Sequence, residues 1–264
     1  MELQKVKYLV EDGIGTVILD YAANLNAIDE KMAEEILYAL EEFEKDSNVK
    51  VIIIKGGAKA FSAGGDVKYF YELIEQGDDV DISNLLNMVA RITLNMKKSS
   101  KMIITSVQGV AAGAGANIAL SGDFIVCSDN AKFIQAFVNI GLVPDTGGTY
   151  LLSRTIGVQK TMEYCALGKP MTSSEAKDLK LVYDVVPAEY LDEFVTKLAK
   201  KLALGPLIAY KNLKKQIFEV EFKDYEDYLM KVEVKTQNDC VGTEDFKEGV
   251  KAFIEKRKAN FQGK

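Results

Sequence analysis

Residues 109–117 (GVAAGAGAN) are almost all glycine or alanine, and they lie between two apolar runs. The run before them, 102–107, is typical of a strand, and residues 118–120 continue as a helix. Small residues at such a junction leave backbone N–H groups uncovered at the helix start, where the helix dipole favours negative charge. The segment therefore predicts either a site for an anion or a developing oxyanion, or close packing of a helix on a sheet.

A second small-residue segment follows another predicted strand. The run at 52–57 (IIIKGG) begins with β-branched residues and ends in two glycines, and AFSAGGDV follows at 60–67. Each of the two strand exits can supply one backbone amide. Two amides that converge on one oxygen form an oxyanion hole, so the pair of segments favours the anion interpretation.

Apolar strand-like runs alternate with helical patterns along most of the chain. The runs lie at 16–19, 51–54, 102–107, 124–127 and 181–186, and 31–44 is an example of the helical pattern between them. This alternation predicts an α/β fold with a mostly parallel sheet. From about residue 189 the pattern is helical, with apolar stripes at 190–203, 206–219, 225–238 and 244–258. We expect a domain boundary near residue 190.

The composition excludes several kinds of chemistry. The 264 residues include no histidine, so Ser-His-Asp, Cys-His and His-rich metal sites are excluded, and acid–base work falls to carboxylates, lysine, tyrosine or cysteine. The three cysteines are far apart, which indicates neither a disulfide framework nor a clustered metal site. No Walker motif and no complete dinucleotide fingerprint occurs. We therefore expect no metal and no permanently bound cofactor.

Charge and hydropathy limit the expected partners. The formal net charge of −6 argues against non-specific nucleic-acid binding. No apolar run approaches the length of a membrane span, and the first ten residues do not resemble a signal peptide. We expect a cytoplasmic protein that binds neither nucleic acid nor membrane.

Five motifs in order resemble the crotonase, or enoyl-CoA hydratase/isomerase, superfamily along essentially the whole chain. They are NLNA at 24–27, AFSAGGDV at 60–67, GVAAGAGAN at 109–117, GLVPDTGGT at 141–149 and EDFKEGVKAFIEKR at 244–257. The resemblance implies an α/β crotonase-like fold of repeated ββα units. It implies a core at 1–190 with the acyl-CoA site, and a helical subdomain at 191–264 for oligomerisation and CoA contacts. A homotrimer or a hexamer is also implied.

The resemblance further implies a site that binds an acyl-CoA thioester, with coenzyme A as part of the substrate. The backbone amides of Gly65 and Ala114 would hold the thioester oxygen, although Gly65 alone can also be interpreted as an ordinary turn glycine. The polar segment 75–81 is expected to be an exposed loop, and a lid over the site. Basic residues near the C-terminus would contact the CoA phosphates, unless they form only a solvated helix face. The expected substrate-binding residues are Ala63, Gly64, Asp66, Val67, Lys68, Gly113, Asn117, Phe137 and Lys256.

Two positions depart from the pattern of the hydratases in this superfamily, which place two glutamates around the substrate. Asn117 and Phe137 stand at those positions, and neither an amide nor a benzene ring can act as a general base. Asp145, in the PDTGG motif, is the carboxylate that remains. It is either the cap of the following helix or the base, and we expect Asp66 to be a cap.

Dienoyl-CoA isomerases and ring-1,2-epoxyphenylacetyl-CoA isomerases of the superfamily carry an aspartate at the position of Asp145, and the chain resembles the latter group most. A lone carboxylate in an apolar pocket can move a proton from one carbon to another. The resemblance therefore implies an isomerase that shifts a double bond or rearranges an epoxide-derived ring. Two alternatives stay open: an enoyl-CoA hydratase with unusual catalytic groups, and a non-catalytic acyl-CoA-binding homologue.

Overall fold

A computed structural model of the chain describes residues 3–57, 59–77 and 80–264. It contains a six-stranded sheet, ordered β1-β2-β3-β4-β6-β9, and a three-stranded sheet, ordered β5-β7-β8. The strands are β1 (Val6–Glu11), β2 (Ile14–Leu19), β3 (Val51–Gly56), β4 (Met102–Val107), β5 (Val110–Ala112), β6 (Phe124–Ser128), β7 (Lys132–Ile134), β8 (Pro170–Thr172) and β9 (Asp184–Val186). Neighbours in the large sheet are parallel except for the β1–β2 hairpin, which confirms the predicted mostly parallel α/β fold.

The helices cover both faces of the large sheet. They are α1 (Glu30–Lys45), α2 (Val67–Gln76), α3 (Ser83–Lys98), α4 (Gly113–Leu120), α5 (Gly148–Thr155), α6 (Gly157–Leu167), α7 (Ser173–Asp178), α8 (Leu191–Ala203), α9 (Leu207–Glu221), α10 (Tyr225–Tyr228), α11 (Val234–Val241) and α12 (Glu244–Ile254). Ile52 and Ile54 of β3 share a buried cluster with α1, α3 and α4, whereas Val51 and Ile53 share one with α8. Because successive strand side chains point to opposite faces, a strand buried on both faces is a continuous apolar run.

The predicted strand at 181–186 is shorter than expected. The strand itself is Asp184–Val186, which pairs with β6 at the edge of the sheet, and the N–H of Tyr183 adds one hydrogen bond to Ile125 (2.8 Å). The short strands of the small sheet were not expected either, since three residues are too few for a visible two-residue period.

The C-terminal helices differ from the expectation in two places. The predicted helix at 225–238 is interrupted by a π-helical turn, Leu229–Glu233, between α10 and α11. The last helix ends at Ile254 rather than at residue 258, so Lys256 is not helical. Lys256 has a φ of +55°. The N–H groups of Lys256 and Arg257 donate to Phe253 and Ala252, which is the hydrogen-bond pattern of a Schellman motif. A lysine in the left-handed position ends the helix without the glycine that would have marked its end.

The predicted loop at 75–81 lies partly outside the described residues. Helix α2 continues through Gln76, so the first two residues of the predicted loop are helical. Residues 78 and 79 are not described, and a lid at this place stays a prediction. Across the described ranges, no helix has the length and apolar character that crossing a membrane requires.

Candidate active site

A cavity of about 420 Å³ lies where the segments that follow β3 and β5 meet α2, α3 and α11. Its outer end has exposed lining residues, and its inner end is formed by buried apolar side chains. The exposed residues are Ala23, Leu25, Ala63, Lys68, Asn139 and Phe253, and the buried ones include Ile82, Leu85, Leu86, Val89 and Leu142. The cavity is therefore open to solvent at one end and lined by apolar side chains at the other.

The two small-residue segments lie side by side and in register. Ser62 forms a parallel bridge with Ala111, and Ser62 exchanges hydrogen bonds with the backbone of Val110 and Ala112 (3.2 and 2.9 Å). Counting three residues forward from both members of the bridge leads to Gly65 and Ala114. Both of these residues line the cavity. The structure thus places both expected amide donors in the wall of the same cavity.

Glycine is needed where these two segments touch. A Cβ on Gly64 would lie 2.8 Å from the carbonyl oxygen of Ala112, which is too close, whereas the space at Gly113 would admit a Cβ. Gly64 and Gly113 also have φ values of +93° and +49°, a region that other residues rarely adopt. Close packing and exposure of backbone amides are therefore two results of the same small residues.

The N–H groups of Gly65 and Ala114 are available to a ligand. Ile28 donates to the carbonyl of Gly64 and accepts from Asp66, so the intervening Gly65 directs its own N–H away from Ile28. Ala114 is the second residue of α4, and the first four N–H groups of a helix lack partners within it. The cap residue Ala112 provides no side-chain acceptor.

Asp145 lines the same cavity with a buried carboxyl group, 9 % exposed. Thr146 Oγ1 donates to its Oδ1 (2.6 Å), and Gln237 Nε2 donates to its Oδ2 (3.0 Å). Burial raises the pKa of Asp145 to about 6, although both hydrogen bonds lower it. A carboxyl with such a pKa is ionised at neutral pH and accepts a proton more readily than an ordinary aspartate.

The turn that carries Asp145 has an unusual backbone. Thr146 and Gly147 have φ values of +57° and +80°, and a left-handed β-branched residue is a rare, strained conformation. A side chain at position 147 would run into the hydroxyl of Tyr225. The carbonyl of Asp145 accepts from Asn117 Nδ2 (2.7 Å), and Glu233 Oε1 accepts from Gly147 N (2.8 Å). The surrounding structure therefore holds the turn from two sides.

Ten of the twelve residues expected in the site line this cavity; Asn117 and Lys256 do not. Asn117 is fully buried against the turn that carries Asp145, and its Oδ1 accepts from Gln135 Nε2 (2.8 Å). Lys256 is exposed beyond the end of α12. Asp66 caps α2 by accepting from the N–H groups of Lys68 and Tyr69, which confirms the expected cap. Of the described lining carboxyls, Asp66 and Asp145, only Asp145 is therefore not used as a helix cap.

Two residues near Asp145 belong to none of the five motifs: Gln237, which contacts Asp145 and lines the cavity, and Glu233 behind it. Their spacing in the sequence nevertheless indicates that they are buried. Tyr225, Leu229, Glu233, Gln237 and Val241 follow one another at four-residue intervals and are all buried. Two polar residues on an otherwise apolar buried stripe are an informative exception, because polar side chains are seldom buried without a function or a partner.

The chain belongs to the enoyl-CoA hydratase/isomerase family, whose model matches residues 10–264. It is 33 % identical over 264 residues to the trans-2-decenoyl-[acyl-carrier-protein] isomerase of Streptococcus mutans, with all of both chains covered. It is 31 % identical to the 1,2-epoxyphenylacetyl-CoA isomerase of Escherichia coli, with 97 % of each chain covered.

Among solved structures, an enoyl-CoA hydratase from Mycobacterium avium subsp. paratuberculosis superposes with a TM-score of 0.89 at 28 % identity. The match covers 99 % of this chain and 100 % of that one. The crotonase fold expected from the motifs is confirmed. The protein is thus an enzyme of a family that contains both isomerases and hydratases.

Proposed function

We propose that the protein is an enoyl-CoA isomerase that shifts a double bond through a thioester enolate. The observation that carries the proposal is the buried Asp145 carboxyl, which lines a mostly apolar cavity together with Gly65 and Ala114. The positions at which the motif resemblance places the hydratase glutamates hold Asn117 and Phe137. Phe137 lines the cavity, and Asn117 donates its amide hydrogen to the turn that carries Asp145.

In the proposed reaction the thioester carbonyl oxygen accepts hydrogen bonds from the N–H groups of Gly65 and Ala114. Asp145 removes a proton from carbon 2 of a 3-enoyl thioester, and the negative charge collects on the carbonyl oxygen, where the amides stabilise it. The protonated Asp145 then gives the proton to carbon 4. The double bond moves from carbons 3 and 4 to carbons 2 and 3, and the carboxylate is regenerated. The same enolate chemistry would serve the rearrangement of an epoxide-derived ring.

Product analysis tests the proposal and separates it from the alternatives. The protein is mixed with 2-enoyl- and 3-enoyl-CoA, and the products are resolved by chromatography. We expect interconversion of the two enoyl thioesters and no 3-hydroxyacyl product. Accumulation of the 3-hydroxyacyl thioester would identify a hydratase instead, and binding without any product would identify a non-catalytic homologue.

The carrier and the assembly are part of the proposal. Coenzyme A is the carrier expected from the motifs, with Lys256 among its contacts, whereas the Streptococcus mutans relative is named for an acyl-carrier-protein substrate. Repeating the assay with the same acyl group on each carrier, and with Lys256→Ala, compares the two carriers directly.

The proposed trimer or hexamer is supported by exposed apolar side chains on α6, namely Val158, Met162 and Leu167, and is tested by light scattering. The unpaired cysteines are consistent with the proposed cytoplasmic location.

A further inference from the structure

Glu233 lies directly behind the catalytic turn and has no role in the reaction described above. It is the last residue of the π-helical turn Leu229–Glu233, is 2 % exposed, and is not among the residues that line the cavity. Gln237 follows four residues later on the same side of the helical segment and contacts the carboxyl of Asp145. On this buried stripe, Gln237 thus contacts the carboxyl of Asp145, and Glu233 contacts the turn that carries Asp145.

The contact made by Glu233 supports a strained piece of backbone. Its Oε1 accepts from the N–H of Gly147, immediately after the left-handed Thr146. The hydroxyl of Thr146 donates to Asp145 from that conformation. A buried N–H without an acceptor is costly, and strained conformations persist only where neighbouring contacts hold them. Loss of the acceptor at Glu233 would therefore release the turn and move the Asp145 carboxyl.

The surroundings of the second oxygen of Glu233 bear on the charge state of the group. Oε2 makes no hydrogen bond of normal geometry among the described residues, although the hydroxyl of the nearby Tyr228 and the N–H of Gly147 each lower the pKa of the carboxyl. The titratable groups facing the carboxyl are Asp145 from the catalytic turn and Tyr228 and Tyr225 from α10, and no lysine or arginine of the described chain pairs with it. A second buried carboxylate beside Asp145 would lack any compensating cation.

We infer that Glu233 is a neutral positioning residue, which holds the Thr146–Gly147 turn through its carbonyl oxygen and keeps its proton while Asp145 is ionised. Burial, and then the charge of Asp145, raise the pKa of Glu233 well above its ordinary value, which agrees with this order of ionisation. The catalytic part of the inference rests on the proposed function. The charge state and the turn contact do not depend on it.

Two substitutions at position 233 separate the neutral hydrogen bond from a need for charge. Glu233→Gln keeps a carbonyl acceptor for Gly147 N, so we expect kcat within about threefold of the wild type and an unchanged pH profile. Glu233→Met keeps the length but removes the acceptor. We expect it to lower kcat by about 10- to 100-fold at a KM within about threefold of the wild type, because the base is displaced while the binding cavity is intact. A Gln variant as impaired as the Met variant, or a Met variant with wild-type kcat, would overturn the inference.

Infrared difference spectroscopy tests the charge state of Glu233 without an activity assay. It needs only the Glu233→Gln variant. The wild-type minus Glu233→Gln spectrum at about pH 7.5 should contain the carbonyl band of a protonated carboxylic acid. Glu35→Gln is the matched control, because Glu35 is fully buried, accepts from three backbone N–H groups and has Lys31 Nζ 3.7 Å away. Its difference spectrum should contain carboxylate bands. Carboxylate bands from Glu233 would contradict the inference, and a wild type without isomerase activity would contradict only the proposed function.

Discussion

The two sides of the cavity are built from different parts of the chain. On one side, Gly65 and Ala114 present backbone N–H groups, and the residues around them are small because two segments touch there. On the other side, Asp145 presents a side chain whose position depends on Gln237 from a helix more than ninety residues away in sequence. The local sequence therefore determines the side that presents backbone N–H groups, which we call the backbone side. Tertiary packing determines the side that presents Asp145, which we call the side-chain side.

The largest effect is expected on the side-chain side. Asp145→Asn removes the base while keeping nearly the same shape, so we expect kcat for isomerisation to fall by about 10³-fold with little change in affinity for the thioester. Steady-state kinetics and ligand titration measure the two quantities. Asp192→Asn, on the exposed end of α8, is the matched control with wild-type turnover. An Asp145→Asn enzyme as active as the wild type would mean that another group is the base.

A change on the backbone side should be the next largest. Ala114→Pro removes one N–H donor at a first-turn position, where a helix tolerates proline, and we expect kcat/KM to fall by about 10²-fold. Ala114→Gly retains the N–H and should retain most of the activity. Circular dichroism verifies that both variants fold. If a folded proline variant keeps wild-type kcat/KM, the amide of Ala114 does not hold the enolate.

The same Asp145→Asn substitution should stabilise the protein at neutral pH. The pKa of Asp145 is raised from 3.8 to about 6 in the folded state. Ionisation therefore costs stability as the pH rises from the unfolded-state value towards about 6. Two pKa units correspond to about 3 kcal/mol at most, so we expect Asn to raise the free energy of unfolding by about 2 kcal/mol at about pH 7.5. Below about pH 3.5 the gain should vanish. Urea denaturation at both pH values measures the gain, and a destabilised Asn variant at neutral pH would show that ionisation of Asp145 does not cost stability.

A smaller effect should follow from loss of Gln237. Its amide donates to Asp145 and lowers the pKa of the carboxyl, so Gln237→Leu should raise that pKa further above 6. Because the base must be ionised, kcat should decline below the pKa, and we expect the midpoint of the pH profile to move up by about one unit. A profile of kcat from about pH 5 to 9 measures the shift. Unchanged or lower midpoints would show that the contact does not influence the base.

Features of the fold and the site that depend on a few neighbouring residues could be predicted from the sequence. Strands β2, β3, β4 and β6, the small-residue exits, the cap at Asp66 and the position of Asp145 each leave a local pattern, and the structure places them as expected. Asn117 was expected to touch the substrate, but its local motif could not reveal that its side chain donates to the carbonyl of Asp145. Gln237 and Glu233 belong to no motif, and only their places on a buried stripe distinguish them. The end of α12 was missed because Lys256 adopts a conformation that sequence associates with glycine.

Deuterium labelling tests most directly whether Asp145 moves a proton at an enolate held by two amides. A 3-enoyl-CoA with deuterium at both hydrogen positions of carbon 2 is incubated in ordinary water with the wild type or with Asp145→Asn, and the product is analysed by NMR. We predict that the wild type forms a 2-enoyl thioester in which deuterium from carbon 2 appears at carbon 4, without a hydroxyl group at carbon 3, because Asp145 carries the same nucleus between the two carbons. The Asn variant should form no product labelled at carbon 4 above background. Labelling of carbon 4 by the Asn variant at the wild-type rate would contradict this mechanism.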